Sequence, residues 1–332
     1  MSDTALSSSL LPAKIRVITL SLTGDGTVAA DAPLPAHSSA AIGSFDGVHI
    51  GHQHVIESAI QLAKGRNVPC AVICFDPHPQ RALNPKGAPF RLMQLSQQMR
   101  AFEALGVDYA FVLSFDAQLS GLSAEDFARL ILKETLNLSH VSAGFDFQFG
   151  KRGSGHAADL VRLGETLGFT TEILPCQTDT EGHKLSSSSV RDALLTGDVK
   201  TAATILGRPQ TWLGDVRHGA KLGRTIDFPT LNMELGDYLR ARYGIYITRT
   251  TLSDGRVFDG VSNLGVRPTV GGNIELFETY LFDFNEEIYG QTIEVALLDF
   301  IRPEAKFESF DDMKAAISRD AEKARAYFRE NT

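Results

Sequence analysis

The sequence predicts an α/β domain followed by a β domain: a doubly wound parallel sheet, then a small antiparallel barrel with a C-terminal helix. Three observations carry this. From Ser39 to about residue 206, short β-rich apolar runs alternate with helical periods, which implies crossover connections and parallel strands. From Trp212 to about residue 301 the texture turns β-rich, with turn signals such as Ser253-Asp254-Gly255 and few helical periods. From Ser309 to Arg329 a serine cap, early acidic residues and apolar Met313, Ala316, Ile317, Ala321 and Ala324 describe one amphipathic helix. With 332 residues, 43% of them hydrophobic, the chain is long enough for two cores.

Residues 1–37 read as a leader of unknown role holding one strand, Ile15 to Leu22, and no assignable chemistry. The first domain then occupies 38–206. Its strands are Ala40 to Phe45, Cys70 to Phe75, Tyr109 to Leu113, Val141 to Gly144 and Thr170 to Leu174; its helices are 53–64, 96–105, 123–136, 157–167, 186–195 and 199–206. The last of these ends at Gly207 with Pro209 behind it, and the second domain runs over 207–332. In doubly wound sheets, ligands bind outside the carboxyl ends of the strands, so the turns there carry the chemistry.

The first such turn is Gly43-Ser44-Phe45-Asp46-Gly47-Val48-His49-Ile50-Gly51-His52. Its glycines let backbone approach an anion, and the first helical turn behind it offers free N–H groups with partial positive charge. His49 and His52, three apart, can donate to phosphoryl oxygens and stabilise charge developing at phosphorus, as nucleotidyl transfer requires. A zinc site with His54 would want cysteine or a further histidine at regular spacing, and none is present. After the second strand, Asp76-Pro77-His78-Pro79 puts His78 on the same rim, or is simply a rigid turn. After Gly144, Phe145-Asp146-Phe147-Gln148-Phe149 precedes the basic, glycine-rich Gly150-Lys151-Arg152-Gly153. Aromatics at period two suit a core, and they also suit a flat ring carrying phosphate. Ser186 to Ser189 with Arg191 open a helix, either as a plain cap or as a phosphate site with a guanidinium fork.

In the second domain, His218-Gly219-Ala220-Lys221-Leu222-Gly223-Arg224 is a basic turn and lacks the Gly-Lys-Ser/Thr ending of a P-loop. Thr230 and Asn232 alternate onto one face of an extended segment, where a hydroxyl and an amide oxygen can both approach Mg²⁺. Glu278 is a carboxylate inside a strand pattern; turned into a small barrel it is costly unless it works or is paired.

Composition excludes several classes. A formal charge of −8 argues against a polynucleotide surface but not against a mononucleotide pocket. Cys70, Cys74 and Cys176 show no metal or disulfide spacing and read as small core hydrophobes. No apolar run approaches the roughly 18 residues of a membrane span, and Asp3, Lys14 and Arg16 argue against a signal or transit segment, which leaves a cytoplasmic protein without membrane partners.

Phe45-Asp46-Gly47-Val48-His49-Ile50-Gly51-His52 resembles the His-x-Gly-His signature of nucleotidyltransferases in its flavin-adenylylating form. With Gly265-Val266-Arg267-Pro268-Thr269, Glu278 to Asp283, Tyr289-Gly290 and Leu298 through Phe307, the chain resembles the bacterial bifunctional riboflavin kinase/FAD synthetase family over about residues 39–329. The resemblance implies a Rossmann-like FMN adenylyltransferase domain and a riboflavin kinase barrel, with ATP as co-substrate and Mg²⁺ as cofactor. It implies that Glu278 is the kinase base, that Thr230 and Asn232 hold Mg²⁺, and that Gly219, Gly223 and Arg224 cover the nucleotide phosphates. It further implies that His49 and His52 act at the α-phosphate within the nucleotide turn of Gly43, Phe45 and Gly51. Ser187, Ser188 and Arg191 then take the β and γ groups, and His78 and Asp146 the flavin side. Riboflavin, FMN and ATP are the implied partners, and self-association is left open.

Four stretches depart from the family pattern. Asp227 stands where glycine is usual and Leu231 where alanine is, both adding bulk near the kinase nucleotide. Lys151-Arg152-Gly153 replaces a glycine-before-arginine order, and Ser189 replaces a frequent arginine. Two rival readings are a nucleotidyltransferase of another small acceptor, which flavin titration separates, and a flavin-binding regulator without turnover. Retention of His49, His52, Arg191 and Glu278 speaks against the regulator.

Overall fold

The computed structural model describes residues 14–180, 182–218, 228–269 and 272–331, and only the backbone of 267–269 and 272–274. Among these the chain divides into two compact units, one of residues 14–88 and 95–186, the other of 89–94 and 187–331.

The first unit is built on a seven-stranded sheet. Its strands are β1 Arg16–Leu22, β2 Val28–Ala30, β3 Ser38–Ile42, β4 Cys70–Asp76, β5 Tyr109–Ser114, β6 Leu138–Gly144 and β9 Thr170–Leu174. The order is β2-β1-β5-β4-β3-β6-β9; every pair is parallel except β1 with β2. Residues 16–30, expected within a leader with one strand, therefore supply β1 and β2 to this sheet, with Arg16 to Leu20 paired along β5. The strand expected at Ile15 to Leu22 is β1; its hairpin partner, the edge strand β2, across the turn Thr23 to Thr27, has too short an apolar run to show in the sequence.

All five residues of β3 are buried, as a central strand covered on both faces requires. Helix α1, Ile50–Arg66, covers it with Val55, Ile56, Ala59, Ile60 and Ala63 and ends on Asn67 in the left-handed conformation. From β3 the chain winds one way through β4, α2 Pro79–Leu83, α3 Leu95–Leu105 and β5. It then returns to pair β6 on β3's other side. The β3/β6 edge is thus the topological switch point of the sheet. The helix expected over 123–136 is three residues of α4, Ala124–Asp126, continuing as a π-helix over Phe127–Thr135, whose wider turn shows in the Leu136 N–H bonding to the Ile131 carbonyl. After the short strands β7 Gln148–Phe149 and β8 Gly155–His156, α5 Ala157–Leu167 packs on β9.

The second unit is a closed antiparallel barrel of β10 Gln210–Arg217, β11 Leu231–Met233, β12 Gly244–Leu252, β13 Val257–Thr269, β14 Gly272–Leu281 and β15 Thr292–Pro303, in the order β10-β11-β14-β13-β12-β15. Closure leaves no open edge. Its interior holds Trp212 edge-on to Phe277 at 4.9 Å, with Tyr246, Leu264 and Val295 buried alongside. Helix α8, Phe310–Glu330, capped by Ser309, lays Ala321, Ala324 and Phe328 against Ile247, Val261 and Phe282 on the barrel's outer face. Helices α6 Ser187–Thr196 and α7 Val199–Leu206, expected in the first domain, join this unit: the Arg242 N–H bonds to the Leu194 carbonyl, and α7 packs on β10 and β15. Residues 89–94 join it too, through the Phe90 and Arg91 amides on the Asp237 carbonyl and Gln210 Nε2 on the Leu92 carbonyl.

Candidate active sites

The turn after β3 lies at the switch point, and its backbone is unusual. Phe45 and Val48 have φ of +49° and +41° with Gly47 between them at +87°. Left-handed Phe and β-branched Val cost of order 1–3 kcal/mol each and persist only where surrounding structure holds them. That structure is visible. Gln98 Nε2, buried on α3, donates to the Ser44 and Phe45 carbonyls at 3.0 and 2.9 Å. The Phe45 ring is 1% exposed and stands edge-on to Phe102 and to His52, at 5.8 and 5.2 Å. Gly43 is required because a Cβ there would sit 3.1 Å from that ring.

His49 caps α1: its Nδ1 accepts from the His52 N–H at 3.3 Å, which puts the proton of a neutral imidazole on Nε2. The two rings stack with centroids 3.6 Å apart, 24° from parallel. Gly51 permits the stack, since a Cβ there would lie 3.1 Å from His49 ring atoms and 3.0 Å from the Leu185 carbonyl oxygen. Gln98 carries no motif; its signal in the sequence is only a polar residue on a helix face otherwise buried.

Because β4 and β6 run parallel to β3, the loops after them share its edge. His78 caps α2, with Nδ1 accepting from the Gln80 N–H at 3.1 Å, so its neutral ring also carries its proton on Nε2. Asp146 is paired with Lys184 at 2.8 Å, and Lys184 Nζ lies 4.9 Å over the exposed Phe145 ring. The three aromatics divide: Phe147 and Phe149 stack at 5.6 Å and belong to the core, while Phe145 stays on the rim. Arg152, where the family resemblance leads one to expect glycine, has a left-handed φ of +57° that glycine would suit.

Ser187, Ser188 and Arg191 fall in the second unit, on α6. Arg191 is partly committed there: Nε donates to the Phe90 carbonyl at 2.9 Å, and the guanidinium lies 5.6 Å over the Phe90 ring.

The barrel carries the second site. Strand register sets Asn232 opposite Glu278 and Glu278 opposite Asn263, one rung across β11, β14 and β13. Phe277, Thr279, Ser262 and Leu264 are all 1% exposed or less and face the interior. The alternation of a strand therefore turns Glu278 outward, correcting the inward reading. Outside lies a cleft of about 780 Å³ whose lining includes Thr230, Asn263, Glu278, Arg302, Phe307 and Asp320. Arg302 and Asp320 close one side, with Nη2 to Oδ2 at 2.7 Å and Nε to both carboxylate oxygens at 3.0 and 3.1 Å, joining β15 to α8. Thr230 also lines a second cavity of about 490 Å³ with Leu231, Glu286 and Tyr289. On Tyr289 the exposed His218 ring stacks at 3.8 Å. Gly219, Gly223, Arg224 and Asp227 lie outside the described residues.

Two sites of this kind in one chain match known proteins. A family described as FAD synthetase matches residues 32–189, and one described as riboflavin kinase matches residues 206–328. A bifunctional riboflavin kinase/FMN adenylyltransferase of Haemophilus influenzae is 40% identical over 287 residues, 86% of this chain and 93% of that protein. The chain belongs to the bifunctional riboflavin kinase/FMN adenylyltransferase family. The Listeria monocytogenes member is 38% identical over 87% of this chain and 91% of its own length. A Streptococcus pneumoniae structure described as a macrolide-efflux protein superposes with a TM-score of 0.81 at 32% identity, covering 93% of this chain and 99% of that one. No helix among the described residues is long and apolar enough to cross a membrane.

The family fixes the two activities: riboflavin kinase, forming FMN, and FMN adenylyltransferase, forming FAD, with ATP as co-substrate. It also removes the acceptor other than flavin and the regulator without turnover from the sequence-based readings.

Proposed function

We propose that the two reactions occupy the two described sites, with riboflavin phosphorylated in the barrel cleft by a mechanism based on Glu278. The observation that carries this is the outward carboxylate on a polar rung at the wall of a cleft of about 780 Å³ with aromatic Phe307 and Phe310 at its rim. Glu278 takes the proton of the ribityl 5′-hydroxyl as that oxygen attacks the γ-phosphorus; the new P–O bond forms and ADP leaves. Thr230, on the wall common to both cavities, and Asn232 beside Glu278 offer hard oxygen donors of the kind Mg²⁺ takes. When bound, Mg²⁺ would neutralise charge on the ATP phosphates. Gly219, Gly223 and Arg224 keep the phosphate-covering role implied by resemblance.

For adenylylation we assign the β3 turn, with Gly43, Phe45 and Gly51, to ATP. His49 and His52 stabilise charge at the α-phosphorus while the already ionised FMN phosphate attacks and pyrophosphate leaves, so positioning and charge stabilisation suffice without a strong base. The Nε2–H orientation of His49 supports donation to a phosphoryl oxygen. His78 and Asp146 are assigned to the flavin side, and Ser187, Ser188 and Arg191 to the departing phosphates. The ATP requirement of both steps supports a cytoplasmic location.

Chromatography of flavins after incubation with ATP and Mg²⁺ tests the assignment. Glu278→Gln abolishes FMN formation from riboflavin and still converts added FMN to FAD, whereas His52→Ala does the reverse. A single one of these changes silencing both steps sinks the two-site assignment.

A further inference from the structure

Asn263 shares the rung of Glu278, and no role has fallen to it. It sits directly opposite Glu278 on β13, the mirror of Asn232 on β11, so the carboxylate is flanked by an amide on each side. Directly opposed residues on one face have Cβ atoms about 4.5–5.5 Å apart, within reach of one bound molecule. Its amide lines the cleft, yet Oδ1 is buried and has no hydrogen-bond partner among the described residues. A buried amide oxygen left without a donor is costly and rare, and such an atom at a cleft wall invites a donor from a ligand.

The neighbours narrow what that donor is. The thiol, hydroxyl and guanidinium groups of a protein partner could supply it in general, but this cleft takes a flavin whose reacting hydroxyl ends a chain of secondary hydroxyls. With the terminal hydroxyl at Glu278, the next hydroxyls along the chain reach one residue sideways along the rung. The χ2 torsion of asparagine is broad and two-fold, so the amide can present either end to such a hydroxyl without moving the backbone. We infer that Asn263 binds a secondary hydroxyl of the ribityl chain and selects polyol-bearing flavins. This rests on the reading of Glu278 as the base.

The test compares riboflavin with 7,8-dimethyl-10-(5-hydroxypentyl)isoalloxazine, which keeps the ring and the terminal hydroxyl and lacks the secondary ones. Asn263→Leu, which keeps the branched shape and removes both polar groups, lowers kcat/KM for riboflavin roughly 10- to 100-fold and leaves that for the analogue within about twofold. Asn263→Ser, which keeps a hydroxyl partner, loses less. Conversion of added FMN to FAD stays at the level of the unsubstituted chain, which reports an intact fold. Equal losses on both flavins, or none on either, overturn the inference. Repeating riboflavin and analogue binding in Glu278→Gln keeps the two readings apart: if that variant still phosphorylates riboflavin, the base assignment fails, while the difference in affinity on adding Asn263→Leu still judges Asn263.

Discussion

Gly51 shows how one missing Cβ shapes the proposed adenylylation site. A methyl group at this position meets the His49 ring at 3.1 Å and the Leu185 carbonyl oxygen at 3.0 Å, and the imidazole is the softer of the two. Gly51→Ala is therefore expected to tilt His49 out of its stack with His52 and to cut FAD formation from FMN roughly 10- to 100-fold, the scale on which misplacement of a charge-stabilising donor is felt. FMN formation from riboflavin, measured on the same sample, stays unchanged; an equal loss there would mean a general folding defect instead. Residues such as His49, His52 and Gly51 were legible in the sequence because their relation is local, three positions on the first turn of one helix. Glu278 was legible as a residue but not in its direction. Inward and outward positions on a barrel strand differ by the neighbours they meet, and Thr279, polar yet 1% exposed inside the barrel, breaks the apolar alternation that would have told the two faces apart.

Strand β6 carries a polar chain that ties elements of the first unit together. His140 is 2% exposed, bonding Thr170 Oγ1 through Nδ1 at 2.7 Å and Ser142 Oγ through Nε2 at 3.1 Å; Ser142 in turn meets Ser58 on α1, which donates to Glu172 on β9. Burial pushes the His140 pKa down to about 4, the Arg66 charge adds to the shift and Glu172 opposes it. The folded-state value thus lies below the roughly 6.5 of an unfolded histidine. As pH falls from about 6.5 to about 4, the unfolded chain takes a proton that the folded chain refuses, and this group costs stability of order 1–3 kcal/mol, with no further loss below. Urea midpoints between pH 7.5 and 4.5 should fall for the unsubstituted chain and fall less for His140→Gln; equal slopes would remove His140 as the cause. In the second unit, the Arg302–Asp320 pair plays the joining role between β15 and α8, with Asp320 4% exposed. Asp320→Ala leaves a partly buried guanidinium unpaired, a loss of about 3 kcal/mol at the lower end for such pairs. It should raise the KM for riboflavin severalfold while adenylylation of added FMN persists. Hydrophobic period revealed these elements and their order, β1 among them, but not the π-helical turn at Phe127–Thr135 or the place of β1 beside β5 in the sheet. Both depend on partners distant in sequence, as the β1–β5 pairing of Val17 with Ala110 illustrates.

At the scale of the whole chain, the two proposed reaction centres share no residue, and each consumes its own ATP. The product of the first, FMN, carries the phosphate that is the nucleophile of the second, so the second step needs nothing from the Glu278 cleft except its product. Two inactive variants should then complement each other in trans. His52→Ala makes FMN and stops; Glu278→Gln makes none but adenylylates what it is given. Mixed with riboflavin, ATP and Mg²⁺, they are expected to form FAD after a lag during which free FMN accumulates. The lag should shorten as the concentration of His52→Ala rises, because that variant alone sets the supply. With the unsubstituted chain at the same total concentration, the size of the lag measures how far FMN equilibrates with solvent between steps. If the mixture accumulates FMN and makes no FAD, although Glu278→Gln alone converts added FMN at that concentration, the assignment of the two reactions to separable residue sets is overturned.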